Sequence, residues 1–290
     1  MKDWTPREFR DAFLFLLPLL LFVVVFIVGP ALGTFWTSLF QDVSFLPRHW
    51  IGLLNYRDLL YDRAFWQSLR FTALFVVASV PLEAILGLVF ALVLNEAIPF
   101  RGFLRACVLV PWAIPVAVSA RAWELIYNHQ FGLANVLLSK AGLSSVHWLG
   151  TPTGAFLAIL LADTWKTAPF VALILLAGLQ AIPEDLYAEA MVDRAGLWQR
   201  FWRVTLPLLR ASLIVALLFR TIDALRILDL IYVLSHGGPG GTTTSVSIYG
   251  LQYFLSGDFG YGSAVSILLF AVALGLAIVY GRQGRLGEER

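Results

Sequence analysis

The chain has 290 residues, of which 59% are hydrophobic and 14% charged, with a mean hydropathy of +0.78 and a formal net charge of +2. A soluble domain carries about a quarter charged residues, so this composition excludes an ordinary soluble protein. The near-neutral charge, with no basic stripe, excludes a nucleic-acid partner. The single cysteine, Cys107, rules out an intrachain disulfide, and no Cys/His spacing resembles a metal site.

Six apolar blocks follow along the chain, at about 12–36, 68–95, 104–127, 153–181, 206–234 and 262–281. Each reaches or exceeds the roughly 20 residues needed to cross a bilayer core, which predicts an all-α membrane protein of six transmembrane helices and one membrane domain over 1–290. The first apolar run, Ala12 to Phe40, is too long for a signal-peptide core and lacks a small-residue cleavage pattern, so it reads as a retained span. In the second block Glu83 follows Pro81 by two residues and reads as a helix-packing group. Near the outer end of the third, Arg121 and Glu124 stand three apart and are expected to neutralise each other.

The fourth block carries Asp163-Thr164-Trp165-Lys166 and the fifth Arg220, Asp223, Arg226 and Asp229. On one continuous helix the latter four drift slowly around one side, with opposite charges as neighbours. Charge at membrane depth must be paired or line water. Two readings follow. Either these groups, with Trp165 and Tyr232, line a pathway where hydroxyls meet polar side chains and C–H surfaces meet an aromatic face, or they form an ion-pair lattice locking the fourth span to the fifth.

Basic residues set the orientation. The outer segments hold Arg48, Arg57, Arg63, Arg70 and Lys140, the blocks hold Arg121, Lys166, Arg220 and Arg226, and the remaining 12 of the 21 fall inside when both termini are cytoplasmic. The positive-inside rule therefore predicts N-in and C-in. The outer loops contain Gly52-Leu53-Leu54-Asn55-Tyr56, Gly132-Leu133-Ala134-Asn135, Trp148-Leu149 and a Gly237 to Gly241 run without the lysine of a phosphate cradle.

Between the fourth and fifth blocks, Pro183 followed by Glu184 and Asp185 starts a helix. Gly196 is expected to break it, and Leu197 to Arg203 begins another piece. Periodicity alone leaves this an amphipathic connector on the membrane surface. The letters add more: Tyr187, Ala190, Val192, Asp193 and Ala195, followed by Trp198, Phe201 and Leu206-Pro207, resemble the cytoplasmic EAA signature of binding-protein-dependent ABC importer permeases. Ala188 stands where that signature has Glu, with Glu189 next to it, and Arg194 stands where it has Gly, with Gly196 two places later. Phe103-Leu104-Arg105 with Pro111-Trp112 and Pro115, Trp165-Lys166 with Pro169-Phe170, Ala177 to Gln180 with Ile182-Pro183, and Gly237-Gly238-Pro239 with Phe259 to Ala264 extend the resemblance to the sugar-importing branch over most of the chain.

The resemblance implies a type I importer permease fold in the inner membrane and a role as the membrane-spanning half of a pathway for a di- or oligosaccharide or a polyol. Its implied partners are a second permease, with a heterodimer favoured, two cytoplasmic ABC ATPases that use ATP and Mg, and an external binding protein. The coupling helix would cover about 184–196, with contacts from Tyr187, Ala188, Glu189, Ala190, Asp193, Arg194, Ala195 and Gly196. This chain itself is expected to bind no cofactor and to catalyse nothing: it has no Gly-x-x-x-x-Gly-Lys-Ser/Thr sequence. The competing class is an ion-coupled secondary transporter, in which the intramembrane carboxylates would relay ions.

Overall fold

The computed structural model describes residues 6–97 and 99–288 and is predominantly helical. Among these, the residues up to Asp62 together with Gly250–Leu268 form one compact unit, and Arg63–Tyr249 with the residues from Leu269 form a second.

In the first unit, α1 (Pro6–Val23), a π-helical turn (Val24–Val28) and α2 (Gly29–Thr37) follow without a break. Pro30 explains the wide turn, because a helical proline crowds the carbonyl four residues earlier, here Phe26, which lies inside it. A two-residue hairpin, β1 (Phe40–Gln41) with β2 (His49–Trp50), pairs Phe40 with Trp50. Asn55, buried in α3 (Leu54–Tyr61), ties the hairpin down by donating to the carbonyls of Ser38 at 2.8 Å and Phe40 at 2.9 Å. Gly260 packs on the same strand, where a Cβ would lie 2.2 Å from the Phe40 carbonyl oxygen. The Gly-Leu-Leu-Asn-Tyr and Phe-Gly-Tyr-Gly runs thus serve one local structure.

The second unit is built on α4 (Arg63–Asn95), α8 (Pro152–Gln180) and α11 (Leu206–Leu225). Close approach is set by small residues. A Cβ on Gly87 would sit 2.6 Å from Val171 Cγ1, and one on Gly178 would sit 2.2 Å from Ser212 Oγ. With no hydrophobic drive between helices in lipid, such close backbone contact supplies the packing. Two apolar clusters result, one around Phe75, Ile159 and Ile231, the other around Leu175, Leu179 and Leu209.

Among the described residues four helical stretches are long and apolar enough to span a membrane: Arg10–Thr37, Arg63–Asn95, Pro152–Gln180 and Phe259–Gln283. The third block is two helices, α5 (Arg101–Ala113) and α6 (Val116–Ile126), bent by 90°, and makes a fifth span if counted as one broken crossing. The fifth block also departs from expectation. Its helix ends at Leu225, Arg226 leaves the helical conformation at φ −100° and ψ 22°, and α12 (Asp229–Leu234) starts afresh. Arg220, Asp223, Arg226 and Asp229 therefore do not share one helix.

The remaining elements are α7 (Leu133–Lys140), α9 (Glu184–Val192), α10 (Leu197–Arg200), a second π turn (Phe201–Thr205), α13 (Val246–Ser256) and α14 (Phe259–Glu288). Asn135 organises the loop after α7: it accepts from Val146 N–H at 3.0 Å and Trp148 Nε1–H at 3.1 Å and donates to the carbonyls of His129 and Val146.

Candidate functional site

Both helix breaks open on one cavity of about 630 Å³, lined by residues 112–116 from the first break and 226–230 from the second. The first break is local chemistry: Pro115 forces Ile114 into an extended conformation, ψ 134°, and offers no N–H to the preceding turn. No proline or glycine marks the second. There the Ile227 carbonyl is taken by the Ser245 hydroxyl at 2.7 Å, which satisfies backbone that the helix abandons. Non-helical backbone at membrane depth is tolerated only where protein buries it or a water-filled cavity receives it.

Asp163, Lys166, Thr167, Arg220, Asp223, Arg226 and Asp229 complete the wall. Arg220 is the anchor. Its Nε and one terminal nitrogen engage both oxygens of Glu83 on α4, that same nitrogen reaches Asp163 on α8 at 3.0 Å, and the other donates to Asp223 at 2.6 Å. The Arg220 side chain is 2% exposed and Glu83 0%, whereas Asp223 is 57% exposed. The network is thus closed on its inner side and open at Asp223, which Arg226 approaches only to 4.0 Å. Thr167 adds a hydroxyl bond to Glu83 at 2.9 Å.

Six of the eight residues expected along a pathway meet here: Asp163, Lys166, Arg220, Asp223, Arg226 and Asp229. Trp165 does not. It lies on the other side of α8, in edge contact with Trp123, on a separate apolar cavity of about 450 Å³. Tyr232 lies off the wall too, against His236. The aromatic surface in the cavity belongs to Trp112, stacked on Phe170 with ring centres 5.6 Å apart. Its sequence signal was its place between Pro111 and Pro115. Glu83, read as a packing residue, is that and also the main partner of Arg220. Arg121 and Glu124 pair at 2.7 Å, away from this wall.

The segment after α8 has its own geometry. Leu186 and Tyr187 pack on the cluster of Leu179, Ile182 and Leu209, and the Tyr187 hydroxyl shares a hydrogen bond with Thr205 at 3.1 Å. Ala188, Glu189, Met191, Val192, Asp193, Arg194 and Gly196 are exposed, while Ala190 and Ala195 are half-buried. The helix stops at Val192, earlier than the expected Gly196. Arg194 takes the left-handed conformation, φ 56°, with Arg194 N–H on Met191 O at 3.0 Å and Ala195 N–H on Ala190 O at 2.9 Å. This is a Schellman cap, whose left-handed residue is usually glycine, so the glycine of the EAA pattern at this position has a backbone reason. Gly196, extended at φ −65°, is instead the N-cap of α10. Arg194→Gly is expected to stabilise the chain by about 1 kcal/mol through relief of the Cβ clash, read as a raised Tm of the detergent-solubilised protein.

Comparison with known proteins gives consistent likenesses. The profile of the family described as "binding-protein-dependent transport system inner membrane component" matches residues 83–287. A trehalose/maltose transport system permease protein of Thermococcus litoralis is 56% identical over 284 residues, covering 98% of this chain and 96% of that protein. A sulfoquinovosyl glycerol transport system permease protein of Agrobacterium fabrum is 38% identical over 274 residues, covering 93% and 89%. Among solved structures, a chain of a bacterial ABC transporter involved in the import of the acidic polysaccharide alginate superposes with a TM-score of 0.83 at 25% identity, covering 96% of this chain and 97% of that one.

Proposed function

The chain belongs to the inner-membrane components of binding-protein-dependent transport systems, and from that premise we propose that it is a multi-pass permease subunit forming part of the translocation pathway of an ATP-driven sugar importer. Its cargo is a di- or oligosaccharide or a related polyol handed over by an external binding protein. The observation that carries this reading is the cavity between two broken helices, with Trp112 on one side and Asp163, Thr167, Asp223, Arg226 and Asp229 around it. A stacked indole offers a face to sugar C–H groups, and the carboxylates, guanidinium and hydroxyl are matched to hydroxyls. Discontinuous helices at midplane cavities are a recurrent way to bind polar cargo inside a bilayer.

In this reading α11 supplies the sixth span. Its 20 residues reach about 30 Å, and its internal charges are supported by Glu83 and Asp163. Both termini then face the cytoplasm, as the distribution of basic residues favours, and α9 with its cap lies on the side of the ATPases. The whole chain acts as one permease domain, paired with a second, different permease and two ABC ATPases that use ATP and Mg. Closure of the ATPases moves the coupling segment as a rigid body and opens the pathway outward.

The test is uptake of labelled maltose or trehalose into proteoliposomes holding the chain with its partner permease, ATPases and binding protein. Uptake that requires both ATP and binding protein is expected, and Trp112→Ala is expected to weaken half-saturation roughly tenfold through loss of the aromatic contact. Uptake by this chain alone, driven by an ion gradient without ATP, would overturn the reading in favour of a secondary transporter.

A further inference from the structure

Lys166 lines the cavity, yet its ammonium is already committed. It donates to the carbonyl oxygens of Pro111 at 3.4 Å and Trp112 at 3.3 Å, and to that of Ile114. An ammonium has three protons to give, and three acceptors stand around it. All three carbonyls lie at the C-terminal end of α5, where the helix has no following turn: Pro115 has no N–H, and Ile114 N–H is spent on Val110 O at 3.3 Å. A cation there also meets the negative end of the helix dipole.

The same short stretch is held a second way. The Trp112 ring stacks on Phe170, one turn further along α8 than Lys166. Thus α8 grips both the backbone and the ring of the residue that gives the cavity its aromatic face. From Lys166, α8 runs on to Gln180 and passes through 181–183 into α9. Asp223 and Asp229 present acceptor oxygens to the cavity, whereas Lys166 has no N–H left to donate to cargo.

We propose that Lys166 is a positioning residue that pins the broken end of α5 to α8, so that displacement of α8 through the coupling segment carries Trp112 and the cavity rim with it. This rests on the permease reading and assigns Lys166 to the moving parts of the site, not to its sugar contacts.

The test uses the complete importer in proteoliposomes, with maltose as cargo and nitroxides on Cys107 of α5 and on Leu157→Cys of α8 in an otherwise cysteine-free complex. With Lys166 present, the distance between labels keeps one narrow distribution with and without ATP. In Lys166→Met the distribution broadens and maximal uptake falls roughly tenfold, since an unsatisfied polar group is worth about that factor, while half-saturation stays put because the Phe170 stack still holds the Trp112 ring in the cavity. Lys166→Arg restores most of the rate. Lys166→Gln, which keeps two N–H donors on a shorter stem, gives an intermediate loss and serves if the Met variant does not assemble. Wild-type uptake in the Met or Gln variant overturns the proposal, as does a raised half-saturation with an unchanged distance distribution, which would mark a direct sugar contact. Absence of ATP-driven uptake in the parent complex overturns the importer reading instead, and the pin is then decided by the label distances alone.

Discussion

Arg220→Met is expected to leave little folded permease to recover. The guanidinium holds Glu83, Asp163 and Asp223 from three helices' worth of packing, with Glu83 fully buried and the Asp163 side chain 11% exposed. Removing the cation strands two carboxylates beside each other in an apolar interior. Breaking one side of such a buried pair costs about 3–5 kcal/mol, a large share of the roughly 5–15 kcal/mol that holds a typical protein together. The measurement is the yield of monodisperse protein after detergent extraction, with its Tm. Combining Arg220→Met with Glu83→Leu and Asp163→Asn removes the stranded charges together and is expected to recover part of the yield, because replacing a whole buried network by apolar or neutral groups is often close to neutral. A single Arg220→Met variant with wild-type yield and Tm would show that the network is not what holds α4, α8 and α11 together. Asp223→Asn is the informative contrast. Its side chain is more than half exposed to the cavity, so the cost to stability is expected to stay below about 1 kcal/mol, and a loss of uptake in a well-assembled complex would then report on the cavity surface.

That contrast also resolves how the charged residues were legible in the sequence. Lattice and lining appeared as alternatives because the two roles look alike in a string of letters. In the fold the two roles grade into one another along the network: Glu83 lies wholly behind the wall, Arg220 and Asp163 are nearly buried within it, and Asp223 is open to the cavity. Glu83 could not be paired with Arg220 from sequence, since 137 positions separate them and only helix packing brings them together. Trp165 is a different case. Asp163, Lys166 and Thr167 recur at helical spacing on one face, and Trp165 is two positions from Asp163, about 200° away around the helix. Its departure from the cavity was readable, and adjacency in the chain obscured it. The break after Ala113 was likewise written in Pro111 and Pro115. The break after Leu225 was not, because it depends on Ser245 reaching back to the Ile227 carbonyl. Hydrophobic length located the helices well. It was blind to interruptions that lie within an apolar run, and these are where the cavity forms.

The second large effect concerns the exposed end of the α9 segment. Val192 is 83% exposed and Met191 55%, and beyond the Arg194 turn Leu197 and Trp198 are also exposed, so apolar surface gathers on one short helix and its cap. Such a patch marks an interaction site more often than a solvated face. The helix behind it is anchored by Leu186, Tyr187 and the Tyr187–Thr205 bond, which fixes the patch relative to α8 and α11. Val192→Asp places a charge at the centre of that surface and, at a position this exposed in the isolated chain, leaves the packing of Leu186 and Tyr187 intact. It is therefore expected to reduce co-purification of the ATPase subunits, and with it ATP-driven uptake, by a factor on the order of 30 or more, as for a hot-spot residue worth about 2 kcal/mol. The Tm of the isolated permease should not move. Bulky replacement of Ala190 or reversal of Asp193 acts less cleanly, since Ala190 supplies a carbonyl of the cap and Asp193 is the C-cap residue, its N–H on the Glu189 carbonyl. Retention of the ATPases at wild-type stoichiometry in Val192→Asp would place their docking surface elsewhere. Loss of uptake with the ATPases still bound would mean instead that this helix transmits movement without providing the grip.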